Sequence, residues 1–267
     1  MTPRSRARLA WALLALYVAL FGGTLVFAAV VGNHWGDVGW IVLFVPFPIV
    51  GALIASRNAG GAVGWICLAI GVGVSATGFA EAYALYALEI NPGSLPGGAY
   101  AALATSFSWV AFIGLIGVYL ILFFPDGKLP SRRWRPLPWI AGTAMATAVL
   151  AGTFWPGHIE GAPTGVENPL GVEGAKRVLI SIFVASIVTF FLCILASVVS
   201  VVVRFRRSRG EQRQQLKWFV SAVVFTAGLF FLSFPMSLVS EKLTGLLNIA
   251  SVLAWPTLPI AVGIAIL

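Results

Sequence analysis

Few side chains in this sequence are placed where they could do chemistry in an apolar environment. Glu81 is the one acidic residue well inside an apolar run, and Tyr83, Tyr86 and Glu89 follow it closely. Glu81 and Glu89 are eight residues apart, so a helix carries them on roughly one side. An acid at membrane depth is by default a functional hypothesis, and we predict that these four residues form an outward-facing ligand site. The alternative interpretation is an interfacial glutamate within a belt of aromatic residues.

Metal, redox and phosphoryl-transfer chemistry have little support in the sequence. The histidines, His34 and His158, lie in stretches that contain acids, but their spacing matches no defined metal site. Cys67 and Cys193 lie within apolar runs without a CxxC pair, so we expect two small buried hydrophobic residues. There is no glycine-rich nucleotide loop. We therefore predict no catalytic residue, no metal and no cofactor in this chain.

Three polar segments carry most of the recognisable pattern, and they run from Ser56 to Trp65, from Phe123 to Pro136 and from Arg207 to Trp218. In the second segment, Pro-Asp-Gly predicts a turn after a helix, and Ser131 is expected to cap the next helical entry. In the first, Gly60 and Gly64 form a GxxxG motif that would allow a close approach of two helices.

The second and third segments are also rich in arginine, lysine and tryptophan, which are typical of the lipid headgroup region. A basic residue near anionic lipid contributes about 1 kcal/mol to membrane attraction. The residues predicted to contact lipid or the cytoplasmic interface are Arg132, Arg133, Trp134, Arg135, Arg204, Arg206, Arg207, Arg209, Arg213, Lys217 and Trp218.

The composition identifies the environment in which these residues lie. Of the 267 residues, 59% are hydrophobic and only 10% are charged, whereas a soluble protein has roughly 25% charged residues. The mean hydropathy is +0.95. These values exclude a soluble enzyme, a disordered chain and a disulfide scaffold, and they predict an all-α polytopic membrane protein that forms a single bundle. The net charge of +8 is then better explained by basic cytoplasmic loops than by nucleic-acid binding.

A membrane-spanning helix needs about 20 mostly apolar residues, and eight stretches meet this condition approximately. The predicted spans are 9–31, 39–55, 63–88, 100–124, 137–155, 178–203, 216–238 and 245–267. We expect kinks at Pro46 and Pro48 in the second span and at Pro256 and Pro259 in the eighth, because proline interrupts helical hydrogen bonding.

The charges divide unequally between the two sets of loops. The N-terminal tail and the loops 56–62, 125–136 and 204–217 carry a net charge of +12, and the loops on the other side, counted together with Glu81, carry −4. The positive-inside rule then predicts a plasma-membrane protein with both termini in the cytoplasm. The last apolar run reaches Leu267 without a polar tail, which we interpret as a module that normally continues into a cytoplasmic domain.

Taken together and in this order, the segments resemble the N-terminal multi-span membrane region of a group of sensor histidine kinases from Gram-positive, especially actinobacterial, bacteria. That group has patterns close to FPDGRLPSRRWR, matched by Phe124–Arg135, and to RxxRGxxRQQL[KR]W, matched by Arg206–Trp218. An outer N-P-L-G pattern is matched at 168–171. The first segment departs from the group, since Gly61 and Ala62 stand where Asn and Pro are usual.

The resemblance implies an input module of a two-component system that acts as a homodimer on a cytoplasmic kinase domain, in cis or in trans. Two other functions stay open: a small permease or channel, and a membrane partner protein without an output domain of its own. A transporter usually shows more buried polar groups and an internal repeat. No nucleic-acid partner is expected, and anionic lipids are the expected neighbours of the basic loops.

Overall fold

The computed structural model describes residues 2–31, 40–57, 61–159, 161–162, 165–236 and 239–267. In these ranges every regular element is a helix, apart from an isolated antiparallel bridge between His158 and Glu167. The α-helices are α1 (Pro3–Val31), α2 (Pro46–Arg57), α3 (Val63–Leu85), α4 (Gly98–Ser106), α5 (Ser108–Gly114), α6 (Ile121–Phe123), α7 (Pro136–Thr153), α8 (Lys176–Arg207), α9 (Gly210–Met236), α10 (Glu241–Ala254) and α11 (Thr257–Ile266). The prediction of an all-α fold is confirmed.

Short helical segments of other types join some of these helices. A 3-10 segment, Trp40–Phe44, precedes α2. A π-helical turn, Tyr86–Ile90, extends α3, and a second one, Leu115–Leu120, connects α5 to α6.

Six continuous helical stretches in the described part of the chain are long and apolar enough to cross a bilayer. They are Pro3–Val31, Trp40–Arg57, Val63–Ile90, Gly98–Phe123, Lys176–Arg207 and Glu241–Ile266. They correspond to the first four, the sixth and the eighth predicted spans. Helices α7 and α9 occupy the positions of the fifth and seventh. The chain is thus a multi-helix membrane bundle, and the count of eight crossings stays a prediction.

The proline-rich spans are interrupted where the sequence indicates. The second span changes from 3-10 to α-helix at Val45, directly before Pro46. The eighth is divided between Trp255 and Thr257, at Pro256. Proline has no backbone N–H and its ring clashes with the preceding turn, so one helix begins at Pro46 and the other directly after Pro256. The prolines at 48 and 259 lie in the first turn of these helices, which continue through them, and mark no interruption.

Helices α2 and α3 approach each other closely because glycine lies at their contact. A Cβ atom placed on Gly64 would lie 2.7 Å from the backbone nitrogen of Ala55, and one on Gly51 would lie 2.7 Å from the backbone nitrogen of Leu68. Gly64 therefore has the packing role predicted for the GxxxG motif. Its other member, Gly60, lies outside the described residues.

The Gly64→Val substitution is expected to destabilise the bundle by about 1–3 kcal/mol, because the added side chain overlaps the backbone of α2 and forces the helices apart. The unfolding midpoint in mixed detergent micelles, titrated with a denaturing detergent, measures this loss. Gly22→Ala is the matched control, since a Cβ at Gly22 meets nothing within 4 Å. A Gly64→Val midpoint equal to that of the control would contradict the close contact.

The largest buried cluster lies between α2, α3, α9, α11 and the π-helical turn before α6. Phe47, Val63, Phe124, Leu216 and Phe219 are among its fully buried members. Outside this core, long faces of α1 and α8 expose large apolar side chains such as Val26 and Leu192. Such faces are expected of helices that contact lipid, because hydrocarbon solvates them as well as a protein core does.

Candidate functional site

The three patterned segments, which are far apart in the sequence, meet at one end of the bundle. Gly61, in the first segment, lies against the second: a Cβ atom on it would be 2.9 Å from the backbone oxygen of Asp126. Its φ of +54° belongs to the left-handed region that glycine favours. We call this meeting point the three-loop junction and define it as Gly61, Leu122–Lys128 and Arg204–Phe219.

Arg204 is the central side chain of the junction. It lies in the last turn of α8 and is only 9% exposed. Its Nη1 donates to the backbone oxygen of Phe124 and to Oδ1 of Asp126, at 3.3 Å for the carboxylate. Its Nη2 donates to the backbone oxygens of Leu122, at 3.2 Å, and Lys128, at 2.6 Å. One guanidinium group thus binds four acceptors between Leu122 and Lys128.

The acceptors explain why an arginine is tolerated at this buried position. The carbonyl groups at the end of a helix have no partner within it, and those of Leu122 and Phe124 lie where α6 ends. A buried charge is costly unless it is paired and hydrogen-bonded, and here the carboxylate of Asp126 supplies the charge. The planar guanidinium fork can satisfy several fixed acceptors at once. The network therefore attaches the loop after α6 to the end of α8.

The loop itself has the predicted turn. Asp126 Oδ1 accepts a hydrogen bond of 3.2 Å from the backbone N–H of Lys128, and Gly127 has a φ of +72°. The Phe124–Pro125 peptide bond is cis. The expected cap by Ser131 is wrong: its side chain makes no capping bond to the 3-10 turn Arg132–Trp134. Pro136 occupies the first helical position of α7, where a missing N–H needs no cap.

Aromatic packing connects the same loop to α9. The rings of Phe124 and Phe219 are stacked with centroids 4.1 Å apart and an interplanar angle of 21°, and both side chains are fully buried. Helix α9 is in turn packed on the last helical segments, where Thr226 Oγ1 donates to the backbone oxygen of Ala254 at 3.4 Å. The guanidinium of Arg213 lies 5.4 Å from the ring centre of Phe205. The junction thus links α6, α8 and α9 and, through α9, the end of the described chain.

Arg204 departs from its expected role at the lipid interface, because its donors bind protein atoms. The other predicted interface residues are on the surface of the same end. Trp134 is half-buried, and the exposed members are Arg132, Arg133, Arg135, Arg206, Arg207, Arg209, Arg213, Lys217 and Trp218. Their contact with lipid stays a prediction.

The residues predicted for an outward ligand site are only partly brought together. Tyr83 and Tyr86 pack against Phe27 of α1, with ring centroids 5.9 Å and 5.8 Å from it. The hydroxyl of Tyr83 donates to the backbone oxygen of Pro96 at 2.6 Å. Glu81 and Glu89 are exposed, and helical periodicity puts Glu81 on the side of α3 roughly opposite Tyr83. The tyrosines thus form a helix contact, and ligand binding by the four residues stays a prediction.

The N-P-L-G segment at the opposite end has a clear structural role. Nδ2 of Asn168 donates to the backbone oxygens of Thr153, at 2.8 Å, and Trp155, at 2.7 Å, and its Oδ1 accepts from the backbone N–H of Leu170. Ile159 from the same loop is buried against α3 and α4. One asparagine therefore holds the loop to the end of α7.

The candidate metal and redox residues are dispersed. His34 lies outside the described residues, and His158 forms its backbone bridge with Glu167. The described part of the chain contains no group of three histidine, cysteine or acidic residues that could hold a metal ion. Cys67 and Cys193 are buried as free thiols, as predicted.

The sequence interpretation missed the role of Arg204 because it grouped this residue with the other basic ones. The spacing of the neighbouring residues could have indicated its burial. Ser197, Ser200, Val201 and Arg204 recur on one face of a helix, and the structure shows that all four are buried. Comparisons with models of known protein families, with curated proteins and with solved structures found no match to this chain. The case for a function therefore depends on the junction and on the motifs that form it.

Proposed function

We propose that this chain is the membrane-embedded input module of a two-component signalling histidine kinase. In this proposal it lies in the plasma membrane as a homodimer, with the three-loop junction and both termini on the cytoplasmic side. It passes a stimulus from outside the cell or from the bilayer to a cytoplasmic kinase domain, in cis or in trans. Such transfer requires two packings of the helices with different affinity for the stimulus.

One observation carries the proposal: the second motif of the family resemblance is hydrogen-bonded to Arg204 and stacked on Phe219, the two residues that flank the third motif. Arg204 and Phe124 are 80 residues apart in the sequence, yet the Arg204 guanidinium donates to the Phe124 backbone oxygen. A module that transmits a helix displacement needs rigid links between helices at the end from which the signal leaves. The Arg204 network and the ring stack of Phe124 on Phe219 are links of this kind.

The helices give a direct route for such a displacement. Helix α8 is continuous from Lys176 to Arg207, so that a shift at its first turn is carried to Arg204. The network transfers the shift to the loop after α6, and the stacked rings transfer it to α9. The interruptions at Pro46 and Pro256 are natural positions for bending, because helical hydrogen bonding is already broken there.

The test begins with the reading frame beyond codon 267 and with the product of the complete gene. Inside-out membrane vesicles that contain this product are incubated with labelled ATP, and acid-labile phosphate on it or on a co-purified kinase is measured. We expect phosphohistidine to form. We also expect Arg204→Lys to change the level at least threefold and Arg206→Lys, which alters an exposed residue in the same way, to leave it unchanged.

Two outcomes would overturn the proposal. One is a stop codon at this point combined with no kinase gene nearby and no co-purified kinase. The other is a flux of solute into liposomes that contain the chain alone. If this flux falls in Glu81→Gln, the chain is a permease. The orientation has its own test: a reporter fused after residue 165 should report the outside, and a cytoplasmic signal there would contradict the topology.

A further inference from the structure

Asn248, in α10, is the only side-chain amide among the residues of the six candidate spans. It follows Lys242 by six residues, a rise of about 9 Å along the helix, whereas the headgroup layer on one side of a bilayer is roughly 5–7 Å thick. With Lys242 at the membrane surface, Asn248 therefore lies in the hydrocarbon. An amide in this environment is costly unless it forms a hydrogen bond.

The amide of Asn248 has no such bond within the described residues. Thr244 and Ser251, the hydroxyl residues on either side of it in α10, donate to backbone oxygens one turn earlier, at 2.9 Å and 2.7 Å. The side chain of Asn248 is instead exposed. Lipid tails offer it neither a donor nor an acceptor, so we expect its partner to come from outside this copy of the chain.

A glycine beside Asn248 leaves room for a second helix. Gly245, Asn248 and Val252 are three and four residues apart, so they form one row along α10. A Cβ atom on Gly245 would meet nothing within 4 Å, so that this glycine lacks the packing role of Gly51 and Gly64. Val252 is 39% exposed. A small residue and an amide in one row are typical of contacts between membrane helices.

The row is separate from the face by which α10 packs in its own bundle. That face contains Ser251 and Ala254, the two buried residues of α10. The row lies about 60–120° around the helix from Ser251 and about 120–180° from Ala254. A third side of α10 carries Leu246, which is 57% exposed and lies about 100–160° from the row. The row is thus a distinct surface that this copy of the chain leaves open.

We infer that this row of α10 is the contact with a second copy of the chain. Copies inserted in one membrane have the same orientation, so their two-fold axis is perpendicular to the bilayer and the two α10 helices run parallel at equal depth. Asn248 then meets its own copy. A carboxamide both donates and accepts hydrogen bonds, so the two amides satisfy each other, and Gly245 lets the backbones approach. Glu241, one turn earlier in the row, lies at the membrane surface, where water and salt screen its charge.

The inference rests on the homodimer of the proposed function, and it names the helix through which that dimer forms. The two can fail separately. A dimer that forms through another helix overturns this inference and leaves the proposed function standing. A dimer that forms through α10 without any phosphohistidine on the complete protein supports this inference and contradicts the proposed function.

Cysteine cross-linking of the full chain, in isolated membranes of the cells that express it, tests the contact. Cys67→Ala and Cys193→Ala first remove the native thiols, and one cysteine is then introduced by Val252→Cys or by Leu246→Cys. Two-fold symmetry brings the two copies of position 252 together, so we expect oxidation to give a covalent dimer in Val252→Cys. Leu246→Cys is the matched control on another side of α10, and we expect it to stay monomeric.

Energy transfer between labelled copies in liposomes measures what the amide contributes. We expect Asn248→Leu to raise the dissociation constant of the dimer about fivefold, the ratio that corresponds to about 1 kcal/mol for a hydrogen bond between membrane helices. Asn248→Gln, which retains the amide, should restore most of the affinity. Leu246→Ala, an exposed substitution outside the row, should leave it unchanged.

Three results would overturn the inference. Equal cross-linking of Val252→Cys and Leu246→Cys would show only random collisions in the membrane. An unchanged dissociation constant in Asn248→Leu would show that the amide takes no part in the contact. A product of Val252→Cys that contains a different protein, with no dimer of the chain, would show that the row binds another membrane protein and not a second copy.

Discussion

Replacing Arg204 with glutamine is expected to lower the free energy of unfolding by about 3–5 kcal/mol. The shorter neutral side chain leaves the Asp126 carboxylate without its partner and frees the backbone oxygens of Leu122, Phe124 and Lys128 in a largely buried site. The Asp126 carboxylate is 47% exposed and can be hydrated, so most of the loss comes from the backbone acceptors, each of which costs about 1–3 kcal/mol when it is buried without a partner. The unfolding midpoint in mixed micelles, titrated with a denaturing detergent, measures the change.

Two further variants separate the geometry of Arg204 from its charge. Arg204→Lys keeps the charge, but its compact ammonium group cannot reach four acceptors in a plane. We therefore expect a loss of unfolding free energy smaller than that of Arg204→Gln. Arg206→Gln removes a charge from an exposed side chain on the same helical turn and should change the stability by less than about 0.5 kcal/mol. If Arg204→Gln and Arg206→Gln unfold at the same midpoint, the Arg204 network does not hold the junction together.

The second large effect is expected at the ring stack between the loop and α9. Phe219→Ala should destabilise the protein by about 3–5 kcal/mol, because it removes a fully buried aromatic side chain and leaves a cavity next to Phe124. Phe124→Ala should have an effect of similar size. Both are measured by the same detergent titration, with Phe154→Ala as a control on a ring that is exposed.

A double-mutant cycle isolates the contact between the two rings. We expect a coupling energy of about 0.5–1.5 kcal/mol, the range for aromatic pairs beyond their burial. A cycle with purely additive losses would show that the rings are buried independently and that the loop is not coupled to α9 through them. The link proposed between the Arg204 network and the end of the chain would then have to follow another path.

Several features of the fold followed from the sequence because they depend on local composition. The continuous apolar runs predicted helices, and the described chain has helices at the position of each of the eight predicted spans. Proline predicted the interruptions before Pro46 and at Pro256, since its missing N–H acts at its own position. The turn at Asp126 and Gly127 was also predictable, because a side chain and a φ angle within three residues determine it.

The candidate site was less accessible to sequence reasoning. The three segments could be recognised as patterns, but nothing in a single sequence indicates that Gly61, Phe124 and Arg204 approach one another. Arg204 was grouped with Arg206 and Arg207 as a surface residue, although it points into the protein and they do not. Arg204 lies on the side of α8 that contacts the loop after α6, whereas Arg206 and Arg207 lie on other sides of the helix. Which side makes this contact depends on how α8 packs in the bundle.

The sequence by itself determined the membrane environment, the all-α fold class and the division into basic and acidic loops. Each of these depends on the transfer of side chains between water and lipid. Only the tertiary structure decided which cation is buried, which loop carbonyls it binds and which ring of α9 stacks on Phe124. These features arise from contacts between residues up to 82 positions apart. Such contacts depend on how the helices pack, and local composition carries no information about that packing.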